Sequence, residues 1–100
     1  MDNNKPVAVI ILNWNGEALL QEFLPKVIAT TNEKLADIIV ADNGSTDNSV
    51  KLIESEFPNV KLLKFTENHG FAEGYNQAIA QTRYKYTILL NSDAASKEGW

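Results

Sequence analysis

Three apolar runs in this 100-residue chain end in residues able to bind a ligand. Val7–Leu12 is followed by Asn13, Trp14, Asn15 and Gly16. Ile38–Ala41 is closed by Asp42, with Asn43 and Gly44 next. Tyr86–Leu90 is followed by Asn91, Ser92 and Asp93. Carboxylates and amides gathered in this way suit two kinds of chemistry. They hold a hard divalent cation through oxygen, and they hydrogen-bond the polar edge of a ligand, more strongly where the acceptor is ionised. Each residue also has an ordinary use, because Asp and Asn favour turns and helix caps. The chemistry therefore depends on the three ends meeting. There is no cysteine to supply a thiolate, and the single histidine, His69, lies in a loop, where a lone imidazole is more often solvated than catalytic.

The elements that must bring these ends together follow from hydrophobic period. Val7–Leu12 is unbroken aliphatic sequence introduced by Pro6, the pattern of a strand buried on both faces. From Glu17 to Thr30, Leu19, Leu20, Phe23, Leu24, Val27 and Ile28 recur at helical steps, and Pro25 is expected to bend that helix. Asp37–Asp42 repeats the strand pattern. One of Ser45, Thr46 or Asp47 is expected to cap a helix over Asn48–Phe57, with Val50, Ile53 and Phe57 as its buried stripe and Pro58 ending it. A third strand, Val60–Phe65, leads through Thr66–Gly70 to a helix over Phe71–Thr82, with Phe71, Tyr75, Ala78 and Ile79 on one side. Tyr86–Leu90 is the fourth strand. Strict alternation implies right-handed crossovers and a parallel sheet covered on both faces, a Rossmann-like three-layer α/β/α fold. Ligands in such sheets bind beyond the carboxyl ends of the strands. With strand order 3-2-1-4, the loops after strands one, two and four surround one crevice, and Asp42 and Asp93 face it together.

Composition narrows the partners. A hydrophobic content of 44% with five glycines and three prolines describes one ordered domain. A chain of this size buries about two-thirds of its unfolded surface. The net charge of −4 comes with scattered lysines, so no basic stripe exists to neutralise nucleic-acid phosphates. An anionic ligand must be held by backbone amides, a metal or a helix end. The absence of cysteine fits a reducing compartment, with the cytoplasm the default. The longest apolar run falls far below the roughly 20 residues of a membrane span, and the polar start is no signal peptide. Ala94–Trp100 complete no element, so the chain is expected to be truncated, with more protein beyond Trp100.

Four segments together carry a family resemblance: IILNWNG (residues 10 to 16), VADNGSTDNS (residues 40 to 49), ENHGFAEGYNQAI (residues 67 to 79) and LLNSDA (residues 89 to 94). In order and spacing they resemble the successive signatures of family 2 glycosyltransferases of the GT-A fold, a resemblance that covers Val7 to Trp100. It implies the donor-binding part of an enzyme that takes a nucleotide-diphosphate sugar and transfers the sugar, with inversion, to a glycan acceptor, as in polysaccharide biosynthesis. Asp42 matches the acidic residue that accepts the N–H of a uracil-type base, with Asn43 assisting. Asn13 and Asn15 match the stretch against base and ribose; Trp14 either stacks there or covers the sheet edge. Asn91-Ser92-Asp93 matches the DXD position, with Asp93 the metal ligand and Mg²⁺ or Mn²⁺ the ion offsetting the diphosphate charge. The first acidic position is Asn91 here, one carboxylate fewer, so metal affinity without nucleotide should be weak. Asn68, Gly70, Gly74 and Asn76 match the stretch beside donor sugar and phosphates, although Gly70 can serve only to turn the chain and Gly74 only to admit close packing. The catalytic carboxylate and the acceptor region lie beyond the DXD position in this family. The chain is accordingly expected to contain no catalytic residue, to bind donor at most, and to self-associate through the sheet face left uncovered.

Two other classes share the architecture. A dinucleotide-binding dehydrogenase needs a glycine-rich fingerprint after strand one, where only Gly16 occurs. A flavodoxin-like receiver or binding module needs an acidic cluster there, and this sequence has asparagines. Fold alone permits all three, so the site decides.

Overall fold

Successive residues of a strand point to opposite faces, so an unbroken aliphatic run satisfies a strand covered on both sides. Val7–Leu12 occupies that position. A computed structural model, which describes residues 5–91, places it in the central strand β1 (Val7–Asn13). β2 (Ala36–Asp42) pairs on one side of it and β4 (Tyr86–Asn91) on the other; β3 (Lys61–Lys64) pairs the outer side of β2. All pairings are parallel and the order is β3-β2-β1-β4, as expected. The register sets Asn13 opposite Asp42 and Leu12 opposite Asn91, so three strand ends finish nearly flush.

Helices α1 (Glu17–Thr30) and α2 (Ser49–Glu56) cover one face, and α3 (Phe71–Thr82) covers the other. On the first face Leu20, Phe23, Leu24 and Val27 of α1 and Leu52 and Ile53 of α2 pack on Val9, Ile11 and Val40. On the second, Tyr75 and Ala78 pack on Ala8, Ile10, Leu12, Ile39 and Ala41. Ile10 and Ile11 are both fully buried, on opposite faces. Each contributes roughly 1.5–3 kcal/mol relative to exposure. The Tyr75 hydroxyl donates to the Leu90 carbonyl, tying α3 to β4.

α1 runs as one helix over Glu17–Thr30 with Pro25 inside it, as the period predicted. Some details differ from expectation. α2 begins at Ser49, and its buried residues are Ser49, Leu52 and Ile53; Val50 is only partly buried. Asn48 stands at the N-cap position without a side-chain bond. Of the three expected caps it is Asp47 whose carboxylate accepts the Ser49 N–H at 2.9 Å, which fixes where the helix starts and so which face it buries. Phe57 lies just past the helix end and is half-buried. On α3, Ile79 is 39% exposed, because the helix meets the sheet through Gly74, Tyr75 and Ala78. The expectations for the Phe71 and Asn91 side chains, for Ser92 and Asp93, and for Ala94–Trp100 lie outside what is described.

β4 leaves Tyr86, Ile88 and Leu89 exposed at 59%, 49% and 45%. Among the described residues no helix is long and apolar enough to cross a membrane.

Candidate functional site

The flush strand ends bring Asn13 and Asp42 side by side, both essentially buried. Asn13 Nδ2 donates to Asp42 Oδ1 at 2.9 Å. The Ser45 hydroxyl donates to the same oxygen at 2.7 Å, and the Ser45 N–H donates to Oδ2 at 2.9 Å. Three donors therefore orient one carboxylate. Burying a carboxylate is costly unless hydrogen bonds compensate, and these supply the compensation. Asn13 Oδ1 is buried and has no partner among the described residues.

The loops after β1 and β2 are fastened to each other. Asn15 adopts positive φ (50°), a conformation that asparagine tolerates, and its N–H donates to Ser45 Oγ at 2.8 Å. Its Oδ1 accepts the N–H groups of Thr46 and Asp47 at 2.7 and 3.2 Å. The Glu17 N–H donates to Asp47, and the Asn48 N–H donates back to Glu17. Burial alone would raise the Asp47 carboxyl pKa. Hydrogen bonds from the Ser49 hydroxyl and N–H and from the Glu17 N–H outweigh it and hold the group below its usual value. Trp14, between Asn13 and Asn15, is left 55% exposed.

Asn43 fastens the third loop. It is buried; its Nδ2 donates to Asn68 Oδ1 and to the Gly70 carbonyl, both at 3.1 Å, and its Oδ1 accepts the His69 N–H at 2.9 Å. Asn68 Oδ1 also accepts the Gly70 N–H at 2.7 Å. Asn43 and Asn68 thus use these groups to fix the 66–70 loop. Gly44 has φ +79° and lies so close to that loop that a Cβ would stand 2.7 Å from the Glu67 carbonyl carbon. Gly70, also at φ +79°, caps α3, and a Cβ there would meet nothing within 4 Å. At Gly74 a Cβ would meet Leu12 side-chain carbons at 2.9 and 3.1 Å, so this glycine admits close packing of α3 on β1. The first N–H groups of α3 have no intrahelical acceptor and emerge at this edge of the sheet. Asn76 is exposed on α3.

Of the residues expected at the site, the structure brings Asn13, Asn15, Asp42, Asn43, Asn68 and Gly70 into one connected set of hydrogen bonds, the Asn43 N–H joining its two parts by donating to the Asn13 carbonyl at 2.7 Å. β4 delivers Asn91 to the same edge by backbone pairing, two residues short of Asp93. Among the described residues no three His, Asp or Glu side chains gather to hold a metal.

The other end of the sheet carries a separate cluster and an open cavity of about 480 Å³, lined among others by Lys5, Ile28, Asp37, Phe57 and Val60. Lys5 and Lys61 pair with Asp37 at 3.2 and 3.0 Å, and the Tyr84 hydroxyl donates to it. Burial pushes the Asp37 carboxyl up, but the bonds from Tyr84, Lys61 and Lys5 prevail and hold it below its usual value. Burial likewise pushes the Lys61 ammonium down, and its bonds with Tyr84 and Asp37 carry it above its usual value. For Tyr84, burial and the bond to Asp37 both raise the phenol. This cavity lies away from the strand ends and shares no residue with the site above.

The model of glycosyl transferase family 2 matches residues 8–100. The chain belongs to that family. Among its relatives is a poly-beta-1,6-N-acetyl-D-glucosamine synthase of Staphylococcus aureus, strain COL, 30% identical over 93% of this chain and 23% of the relative. Two solved structures superpose with TM-scores of 0.75. One is the mannosyltransferase PcManGT of Pyrobaculum calidifontis in complex with GDP-Man and Mn²⁺, 23% identical over 91% of this chain and 28% of that one. The other is S. aureus TarS 1-349 in complex with UDP-GlcNAc, 22% identical over 87% and 26%. The chain thus spans about a quarter of the length of these proteins. Family membership sets aside the dinucleotide-binding and flavodoxin-like readings.

Sequence reasoning named Ser45 and Asp47 only as candidate helix caps and gave Glu17 no part in the site. Ser45 had a signal: a carboxylate three residues before a serine, with Gly44 between, is the spacing of a local side-chain turn. The bonds from Glu17 and Asn15 across to the second loop had none, because they join residues about 30 positions apart.

Proposed function

We propose that the carboxyl edge of this sheet binds the nucleotide diphosphate of a sugar donor, and that the whole protein transfers that sugar to a glycan acceptor with inversion. The observation that carries the proposal is the buried Asn13–Asp42 pair at the strand ends, with its carboxylate held in place by three donors. Holding a buried carboxylate so firmly serves recognition of a ligand N–H, for which a charge-assisted bond is roughly twice as strong as a neutral one. In this reading Asp42 takes the base, and the exposed Trp14 offers a ring face beside it. Asn13 and Asn15 shape the wall on which base and ribose lie. Asn43 and Asn68 hold Gly70 at the start of α3, whose free N–H groups favour the diphosphate.

Asn91 ends β4 and Asp93 comes two positions later in the sequence; Asp93 is the residue that would hold Mg²⁺ or Mn²⁺. A hard cation there neutralises charge on the leaving diphosphate. The proposal assigns the cation one protein carboxylate, that of Asp93, together with the diphosphate oxygens. PcManGT holds Mn²⁺ together with its nucleotide sugar. The DXD-type role of residues 91–93, the glycan acceptor, a cytoplasmic location and self-association through exposed Ile88 and Leu89 belong to the same proposal. The base that deprotonates the acceptor is assigned to none of these residues.

Calorimetric titration with UDP, dTDP and GDP, with and without Mn²⁺, tests it. Metal-dependent binding of at least one diphosphate is expected, weakened more than about tenfold by Asp42→Asn in a protein that still folds. A folded sample that binds none at millimolar concentration contradicts the proposal.

A further inference from the structure

Asn–Gly occurs twice in the chain, as Asn15–Gly16 after β1 and as Asn43–Gly44 after β2. Asparagine is least durable before glycine, because glycine has no Cβ to crowd its own backbone nitrogen. That nitrogen attacks the asparagine Cγ. A C–N bond forms, the Cγ–Nδ2 bond breaks, ammonia leaves and a succinimide closes. One water then opens the ring at either carbonyl and leaves aspartate or isoaspartate. We propose that Asn15 is a deamidation site of the folded protein, and that Asn43, with the same residue after it, is sheltered.

The fold treats the two side chains in opposite ways. Asn15 is exposed, so water reaches it. Among the described residues all bonds of its side-chain amide fall on Oδ1, from the Thr46 N–H at 2.7 Å, the Asp47 N–H at 3.2 Å and the Thr46 hydroxyl at 3.4 Å. Two N–H groups aimed at one carbonyl oxygen stabilise the negative charge that develops there under attack, and the departing Nδ2 has no bond to give up. Asn43 is buried. Its Nδ2 donates to Asn68 Oδ1 and to the Gly70 carbonyl, both at 3.1 Å, and its Oδ1 accepts the His69 N–H at 2.9 Å. The nitrogen can leave, and water can enter, only after the 66–70 loop opens. Nor can the glycine be exchanged there, since Gly44 has φ +79° and a Cβ would stand 2.7 Å from the Glu67 carbonyl carbon. The fold therefore requires a labile pair at 43–44 and guards it, while the pair at 15–16 stays open to reaction.

The products act on the clamp between the first two loops. Aspartate at position 15 keeps an oxygen for the Thr46 and Asp47 N–H groups, but adds a carboxylate to the stretch where Glu17 and Asp47 already meet. Isoaspartate lengthens the backbone by one methylene just before α1, so the side chain and the Asn15 N–H can no longer meet Thr46 and Ser45 together.

Incubation in mildly alkaline buffer, with and without denaturing urea, followed by peptide mapping on a mass spectrometer, provides the test. Each site is scored by the mass gained when the amide becomes a carboxyl group. In urea both pairs should react. On folding, the ratio of the Asn15 rate to the Asn43 rate should rise at least about tenfold, because Asn43 must first break three hydrogen bonds. A ratio no larger in the folded protein than in urea overturns the proposal. So does a folded protein whose Asn15 stays intact over the time that converts the unfolded chain, since the clamp would then lock this residue as well. Asn68→Ala removes one acceptor of Asn43 Nδ2 and should speed reaction at Asn43 while leaving Asn15 unchanged. An unaltered Asn43 rate in that folded variant overturns the sheltering role of these bonds. The comparison within the unmodified protein stands even if Asn68→Ala does not fold.

Discussion

Replacing Gly44 with alanine tests how the loops around the site are held. Two costs add. The residue sits at φ +79°, where an L side chain costs roughly 1–2 kcal/mol. The added Cβ also stands 2.7 Å from the Glu67 carbonyl carbon and 2.9 Å from both Glu67 Cα and Asn68 N. All three are backbone atoms, so no side chain can rotate out of the way. Forced displacement of packed atoms typically costs 1–3 kcal/mol, giving a total of about 3 kcal/mol. For a domain of this size that lowers Tm by roughly 12–24 °C. Gly70→Ala is the internal control: its φ is the same, but a Cβ meets nothing within 4 Å, so only the backbone cost applies and the packing cost is absent. Urea unfolding followed by circular dichroism should rank Gly44→Ala clearly below Gly70→Ala. Equal losses would refute the argument that contact between the Gly44 backbone and the 66–70 loop shapes this edge.

Other expectations follow from the same contacts. Asn43→Ala takes the partner from the His69 N–H and one of two partners from Asn68 Oδ1 and from the Gly70 carbonyl, and should cost about 2–3 kcal/mol, with hydrogen exchange speeding up at His69. Asp37 has its folded pKa lowered, so its contribution is present above the ordinary carboxyl value of 3.8 and is lost as pH falls through the lower folded value. Lys61 and Tyr84 have folded values raised above 10.5 and 10.0, so their contribution is lost as pH rises beyond those values. Asp37→Asn should flatten both limbs of a stability-against-pH curve; an unchanged acid limb would count against the cluster. Asp93→Ala should remove the Mn²⁺ dependence of nucleotide binding while shifting Tm by less than a few degrees, and a variant that unfolds would instead assign Asp93 a structural role.

Much of the fold was legible because β1 and the carboxyl half of β2 are buried on both faces. An aliphatic run such as Val7–Leu12 has few other uses, and its polar end marks the carboxyl edge. The convergence of Asn13 and Asp42 followed from strand order alone, and the register sets them directly opposite. The phase of α2 was not legible. In an eight-residue helix the pattern contains too few turns to choose between Val50 and Leu52, and the choice was made by Asp47 capping from outside the helix. The Asp37 cluster was invisible for another reason: Tyr84 lies 47 residues away and Lys61 lies 24, and neither pairing leaves a local pattern. The same holds for the state of Asp42. Its position could be read from sequence, whereas the number of its acceptors already in use depends on Ser45 and Asn13 folding around it.

The most direct measurement is a map of amide chemical shifts on adding UDP with Mn²⁺. Shifts should concentrate at residues 13–16, 42–46 and 68–74, around the strand ends, with the amides of Asp37 and residues 57–60 unmoved at the far edge. Shifts confined to that far edge, around the cavity between Asp37, Phe57 and Val60, would contradict the assignment of the donor site.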